Sequence, residues 1–435
     1  MKLSKNILTD KQNEFIDYIY GRDYAIGMLT MGFGKTVCTL TALDELMSDG
    51  HLSRALVVAP ARVRDMVWSR EHEKWDHLAH MDIKVYPEVG AVTVVSFNQL
   101  EKALAEFKPD ENWGLIVDEL TKLKSAGGAW FKTLRHKIKN FAWRVGLTGT
   151  LAEEGLDKLY SMTFTIDNGK TFGRSKQRFL NEYFFPTDYN QYNWAPKSGA
   201  RERIAKALGG FTFMYEGDDQ SLPPLLVRHR YVDMPAGARQ DYESMCRDMA
   251  LDETITAVNA AVLSGKLQQI CNGFIYREDK SAQMLHAEKV KALAEYTDVP
   301  TMIVYQFKWE LDQLLDLYPD AGVLGDGVSK TQAMATADAW NAGRLNALLV
   351  HPASAGHGLN FQTGGKRVVF MGPIWSRDQT DQVIARIRRR GCRHEFVEVI
   401  YLVARDTVED CVVLPRVAAK GEDAASFREY LDQFR

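Results

Sequence analysis

A chain of 435 residues, 46% hydrophobic and 26% charged, holds enough apolar material for two or three domains, and this balance excludes a disordered or collagen-like protein. The formal net charge of −3 excludes indiscriminate coating of nucleic acid, while leaving room for a local basic groove. Cys38, Cys246, Cys271, Cys392 and Cys411 include no Cys-x-x-Cys pair, so neither a zinc site nor a disulfide framework is signalled.

Residues 1–10 lack the apolar core of a signal peptide, and no stretch is long and apolar enough to span a membrane, so the expectation is a cytoplasmic protein with no membrane partner. Thr9 or Asp10 is placed to cap a helix whose apolar face is Phe15, Ile16 and Ile19. Gln12 can read an adenine edge, although a surface role explains most single glutamines. The apolar run Tyr24–Leu29 then predicts a buried strand, and Val37, Leu40, Leu43 and Met47 predict a helix.

Between them lies Thr-Met-Gly-Phe-Gly-Lys-Thr, a loop suited to cradling phosphate. Gly32 and Gly34 let backbone N–H groups curl round the anion, Lys35 can reach terminal phosphates, and the Thr36 hydroxyl can ligate Mg²⁺. Leu29 stands where the G-x-x-x-x-G-K-[ST] pattern has its first glycine, so this loop alone also fits a tight turn before a helix.

Short apolar runs recur at Ala55–Ala59, Val92–Val95, Leu115–Val117 and Val145–Leu147, separated by helix-length segments. That rhythm predicts a parallel sheet with helices on both faces. Asp118 and Glu119 follow the third run, at the sheet end where such folds bind ligands: Asp118 is a candidate to hold Mg²⁺ and Glu119 to orient and polarise an attacking water. In isolation the pair is also an ordinary charged turn. Thr148-Gly149-Thr150 leaves the next strand with hydroxyls that can sense a γ-phosphate, or simply turn the chain.

From Phe164 to Tyr215 the rhythm gives way to aromatics, with Lys170, Arg174, Lys176 and Arg178 close together. Nucleic-acid contact by aromatics and cations is one reading. The favoured one is a helical protrusion whose aromatics pack on themselves and expose only the cations. Leu222-Pro223-Pro224 marks a break, and the chain is divided into residues 1–228 and 229–435.

Past the break, helical patterns span Ala238–Lys266, and strands are predicted at Met302–Tyr305, Ala347–Val350, Val368–Met371 and Val397–Val403. A second sheet of the same kind follows. It carries Ser354 to Asn360, and a helix expected to present Arg386 and Arg389 on one face as arginine fingers, anchored by Val383, Ile384 and Ile387. The stripe Ala424, Phe427, Leu431 and Phe434 predicts a packing helix.

In this order the motifs resemble those of the Swi/Snf-like branch of superfamily-two helicase-type ATPases, from about Leu8 to Val412. Leu29–Thr36 is similar to the family's D-E-M-G-L-G-K-T without its acidic pair; Val57-Val58-Ala59-Pro60 with Trp68, Glu71 and Trp75 is similar to V-V-x-P followed by W-x-x-E-x-x-x-W. Leu147–Thr150 matches L-T-G-T-P, with Leu151 replacing proline. Lys266–Asn272 resembles L-R-Q-I-C-N, Ser354–Gln362 resembles A-G-G-L-G-I-N-L-Q, and Gln382, Arg386, Arg389 and Gly391 fit Q-A-x-x-R-x-x-R-x-G-Q with Cys392 replacing the last glutamine. The D-E-A-H box reads Asp118-Glu119-Leu120-Thr121, so both carboxylates remain and the histidine that helps couple the lobes is absent.

The resemblance implies an α/β fold of two RecA-like doubly wound parallel-sheet lobes with helical protrusions. It implies ATP and Mg²⁺ bound by Gln12, Gly32, Gly34, Lys35, Thr36, Asp118 and Gly358, and hydrolysis carried by Lys35, Glu119, Arg386 and Arg389. Double-stranded DNA is the implied track, contacted through backbone amides and residues near Pro60, Arg62, Ser96, Thr148, Ser354 and Asn360, and moved without strand separation. The size resembles compact bacterial and phage forms, acting as a monomer or with a protein partner in a DNA-processing assembly. A strand-separating DNA or RNA helicase, a motor subunit of a nuclease or restriction assembly, and a catalytically silent DNA-binding scaffold remain as alternatives. The helicase signature H-R-x-G-R-x-x-R is absent, and every hydrolytic position holds a competent residue.

Overall fold

The computed structural model describes residues 2–433, apart from 153–154, 218–221, 253–254, 257–259, 326, 356–358 and 390. Its contacts divide the chain into two units, Met1–Gly217 with Lys420–Arg435, and Asp218–Ala419. The sequence reading kept the last helix with the second half. Instead, Phe427 and Leu431 of the helix Leu414–Gln433 are buried in a core of the first unit, where they join Phe164, Phe179 and Leu208.

The first unit is built on strands β1 (Tyr24–Leu29), β2 (Arg54–Ala59), β3 (Ile83–Val85), β4 (Val92–Ser96), β5 (Trp113–Asp118) and β6 (Trp143–Thr148), a hairpin of β7 (Phe184–Pro186) and β8 (Trp194–Pro196), and β9 (Thr212–Tyr215). Seven of these form a parallel sheet in the order β3-β4-β2-β5-β6-β1-β9. Strand side chains point alternately to two faces, and each face has its own core. Ile26, Met28, Leu56 and Val58 join one; Ala25, Leu29, Ala55 and Val57 join the other. The sheet is therefore covered on both sides, which is why its strands read as continuous apolar runs.

Two features of this unit depart from expectation. Residues 212–215, assigned to the protrusion, form β9 at the sheet edge beside β1. The aromatic segment is also not purely helical, because β7 and β8 pair antiparallel after the helix Lys176–Tyr183.

The second unit contains β10 (Leu225–Val232), the small pairs β11 (Ala250–Asp252) with β12 (Ile255–Thr256) and β13 (Phe274–Tyr276) with β14 (Ala282–Met284), then β15 (Thr301–Val304), β16 (Gly322–Leu324), β17 (Ala347–Val350), β18 (Arg367–Phe370) and β19 (Val397–Ala404). Its main sheet is parallel, ordered β10-β19-β18-β15-β17-β16. Two doubly wound parallel layers thus form the α/β architecture. In the second unit Lys289 Nζ is fully buried and bonds both oxygens of Glu409 at 2.7 Å and Asn272 Oδ1 at 2.6 Å. This places the Lys266–Asn272 motif against the chain that follows β19.

Candidate active site

The site is assembled at the C-terminal ends of β1, β5 and β6. After β1 the chain turns through Gly32 and Gly34, with φ of 83° and 91°, and enters the helix Lys35–Ser48 with no side chain capping its first turn. Those N–H groups, with the helix dipole behind them, suit an anion. A larger residue at Gly34 would hold a strained left-handed backbone, and its Cβ, 2.5 Å from Gln12 Nε2, would displace that side chain from the loop.

Gln12 ties the first helix to this loop. Its Nε2 donates to the Phe33 carbonyl at 2.6 Å, and its Oε1 accepts from Thr9 N–H at 2.8 Å in a capping box. By count an amide retains one further donor and one lone pair, the complement an adenine edge requires. Lys35 Nζ donates to the Leu29 carbonyl at 2.9 Å. Leu29 itself is buried in the sheet core, so the missing first glycine is replaced by a residue whose backbone, rather than side chain, faces the loop.

Asp118 ends β5, opposite Leu147 of β6. Burial raises its pKa above the usual carboxylate range, while a hydrogen bond from Trp68 and the charge of Lys35 pull it back. The Trp68 indole Nε1–H donates to Oδ2 at 2.7 Å, and the ring is fully buried. In the sequence Trp68 stands out only as part of a motif, because a contact between residues fifty positions apart leaves no periodic signal. Glu119 sits in the left-handed region, φ 66° and ψ 62°, a strained conformation for a residue with a side chain. Thr121 Oγ1–H, at the position of the absent box histidine, donates to Glu119 Oε1 at 2.6 Å.

These donors fit a nucleotide with Mg²⁺. Among the described residues no cluster of three His, Cys, Asp or Glu exists to cage an ion. One threonine hydroxyl and one aspartate form the small oxygen set that Mg²⁺ uses when phosphates and waters complete its shell.

The residues assigned to nucleic acid divide by exposure. Pro60, Ser96 and Thr148 are buried. The Ser96 hydroxyl and backbone N–H both donate to Gln99 Oε1, at 3.0 and 3.1 Å, and the Thr148 hydroxyl donates to the Thr150 carbonyl at 2.5 Å, so both side chains are engaged locally. Arg62 is half-buried.

In the second unit Ser354 is buried and Asn360 exposed, and Gly358 lies outside the described residues. Arg386 and Arg389 do not share a helix face, contrary to the sequence reading. The helix Arg377–Ile387 closes on an Arg388 N–H bond to the Ile384 carbonyl at 2.8 Å, then Arg388 leaves helical geometry at ψ 86°. The next N–H groups form a tight turn, completed by Gly391 at φ 85°. Arg389 therefore lies past the helix, its guanidinium donating to Asn360 Oδ1. Phe361 N–H bonds the Arg386 carbonyl at 2.9 Å, so the Ser354–Gln362 motif meets the arginine-bearing motif within this unit.

The family model of the SNF2-related domain matches residues 12–284. Protein p41 of Acyrthosiphon pisum secondary endosymbiont phage 1 is 31% identical over 422 residues, covering 88% of this chain and 90% of that one. The chain belongs to the SNF2-related family. A chromodomain-helicase-DNA-binding protein 3 homolog of Caenorhabditis elegans is 27% identical over 165 residues, which is 30% of this SNF2-related chain and 9% of that protein. Among solved structures, the Sulfolobus solfataricus SWI2/SNF2 ATPase core in complex with dsDNA is similar at 18% identity and a TM-score of 0.46, covering 98% of this chain and 96% of that one. The same organism's ATPase core domain gives 16% identity and a TM-score of 0.43, with 98% and 94% covered. Among the described residues of this family member, no helix is long and apolar enough to cross a membrane.

Proposed function

We propose that this SNF2-related protein is a DNA-stimulated ATPase that moves along duplex DNA without separating its strands. The observation that carries the reading is the convergence of an uncapped glycine loop, Lys35 and the indole-held Asp118 at one end of the sheet. The main-chain N–H groups after Gly32 and the Lys35 ammonium bind the phosphates. Thr36 and Asp118 would hold Mg²⁺, which supplies neutralisation of charge on the transferring phosphoryl group. Glu119, positioned by its turn and by Thr121, orients the attacking water and takes up its proton.

Arg386 and Arg389 of the second unit are proposed as cations for the charge that develops on the γ-phosphate. Arg389 reaches this role from its present hydrogen bond to Asn360. Backbone amides near Pro60, Ser96 and Thr148, with Arg62, Ser354 and Asn360, contact DNA phosphates, and this favours recognition by shape over sequence. The protein acts as a monomer or within a DNA-processing assembly.

The test is ATP turnover measured in parallel with no nucleic acid, single-stranded DNA, duplex DNA and RNA. Duplex DNA is expected to stimulate most. Lys35→Ala should lose ATP binding, Glu119→Gln should bind ATP without hydrolysing it, and Arg386→Ala and Arg389→Ala should each lower kcat with little change in KM. Equal turnover in all four conditions, or wild-type turnover by Glu119→Gln, would overturn the reading.

A further inference from the structure

The segment between the helix Leu159–Asp167 and β9 is only partly used by the fold. Phe172, Phe179, Phe184 and Leu208 are buried in the core on one face of the first sheet, with Tyr183 and Trp194 packed against it. The hairpin projects the remaining aromatics outward. Tyr189 is 100% exposed, Tyr192 82% and Phe185 48%. Among the described residues these three are the sole exposed aromatic side chains, and they fall within eight positions.

The tip that carries the tyrosines is a built turn. Thr187 N–H bonds the Asn193 carbonyl at 2.9 Å, and Gln191 N–H bonds the Asp188 carbonyl at 3.1 Å. Both Asp188 carboxylate oxygens accept from Asn193, one from its backbone N–H and one from its side-chain amide, each at 3.1 Å. Trp194 Nε1–H closes on the Gln191 carbonyl at 2.9 Å. The single acid of the tip is thus occupied within the turn, and the two rings face water from a fixed backbone. Such exposure of large apolar surface is costly unless it meets a partner.

Charge indicates which partner. Residues 168–210 contain eight Lys and Arg against three Asp and Glu, within a chain whose totals are 54 and 57. The segment is basic and the rest of the protein is acidic. Lys170, Arg174 and Arg178 are exposed and, among the described residues, form no ion pair, while the Lys170 ammonium lies over the Tyr24 ring, 4.6 Å from its centroid. Exposed aromatic faces and exposed cations within one segment are the combination that holds unpaired bases by stacking while cations track the phosphates.

We propose that the hairpin tip is a stacking platform for unpaired DNA bases, engaging single strands and fork junctions through Tyr189 and Tyr192, with Arg174 and Arg178 binding the backbone. The inference rests on the DNA-motor reading and names the DNA structure that this surface selects. It adds a contact in the first unit that depends on base faces, whereas the motor contacts depend on duplex shape.

The test uses the full chain and fluorescence anisotropy with three probes: an oligothymidine of about 20 nucleotides, a forked duplex and a blunt duplex. The double variant Tyr189→Ala, Tyr192→Ala should weaken oligothymidine and fork binding by at least about tenfold, leaving blunt-duplex binding and DNA-free ATP turnover unchanged. Tyr189→Phe with Tyr192→Phe should restore binding, since the ring is the contact. Arg174→Gln with Arg178→Gln should flatten the salt dependence of oligothymidine binding by about 0.7 per lost contact. Wild-type affinity of the double alanine variant for both unpaired probes would overturn the proposal and point to a protein partner for the tip. An equal loss on blunt duplex would also overturn it. Failure of duplex DNA to stimulate the wild-type protein would refute the motor reading separately, because the stacking result is read from binding alone.

Discussion

Trp68→Phe isolates what the buried indole does for Asp118, the carboxylate proposed to hold Mg²⁺. The substitution keeps an aromatic ring and removes the Nε1–H that reaches Asp118 Oδ2 at 2.7 Å. A hydrogen bond to a charged group contributes about 1.5–3 kcal/mol. Burial already raises the Asp118 pKa, and the indole is the largest influence opposing it. Without the indole the protonated form gains further, so fewer molecules carry the charge that Mg²⁺ needs. At about 1.4 kcal/mol per factor of ten, the charged fraction should fall roughly 10- to 100-fold wherever protonation competes.

The sign follows from an acid with a raised pKa: function is lost at low pH and recovered as pH rises. ATP turnover titrated with Mg²⁺ at several pH values should show a higher Mg²⁺ requirement in the variant at acid pH, converging on wild type under alkaline conditions. The smaller ring also leaves a cavity costing about 1–3 kcal/mol of stability, which a melting curve records and which has no reason to track the Mg²⁺ requirement. A Mg²⁺ requirement shifted by the same factor at every pH would refute the electrostatic role and leave Trp68 as packing alone.

Thr121→Val should lower kcat about 3- to 10-fold with ATP affinity unchanged, because it removes the 2.6 Å hydrogen bond to Glu119 and leaves the phosphate loop intact. Thr121→Ser should retain activity, and equal defects in the two variants would refute hydroxyl positioning. In the second unit burial raises the Glu310 pKa to about 7, against N–H bonds from Gln306 and Phe307 that favour its charge. Stability from this raised group is fully present below its ordinary range and is lost as pH rises through about 7, so Glu310→Gln should flatten the fall in denaturant stability between pH 5 and pH 8, an effect on the order of a few kcal/mol. An unchanged slope would refute it.

The strands legible in the sequence were those with both faces buried, such as Ala55–Ala59 and Ala347–Val350, where apolar residues run without interruption. The strand β10 escaped because it lies at a sheet edge and carries Arg228, His229 and Arg230, whose exposed polar side chains resemble a loop. At the site, residues joined by short spacing could be read: the glycine loop with Lys35, and Asp118 with Glu119. What was not legible came from distant contacts. The indole of Trp68 on Asp118 is one, and the turn that takes Arg389 off its helix toward Asn360 is another, because a run of arginines gives no cue to where a helix stops.

The return of residues 420–433 to the first unit reverses the usual order of assembly during synthesis. Domains ordinarily fold as they emerge, at about 5–20 residues per second. Here the places of Phe427 and Leu431 beside Phe164 and Phe179 wait while about 200 residues of the second unit are made, some 10–40 s at that rate. Until then the nascent first unit presents an apolar face that only a later part of its own chain can cover. Sensitivity to truncation far from the nucleotide loop is thus built into the path of the chain.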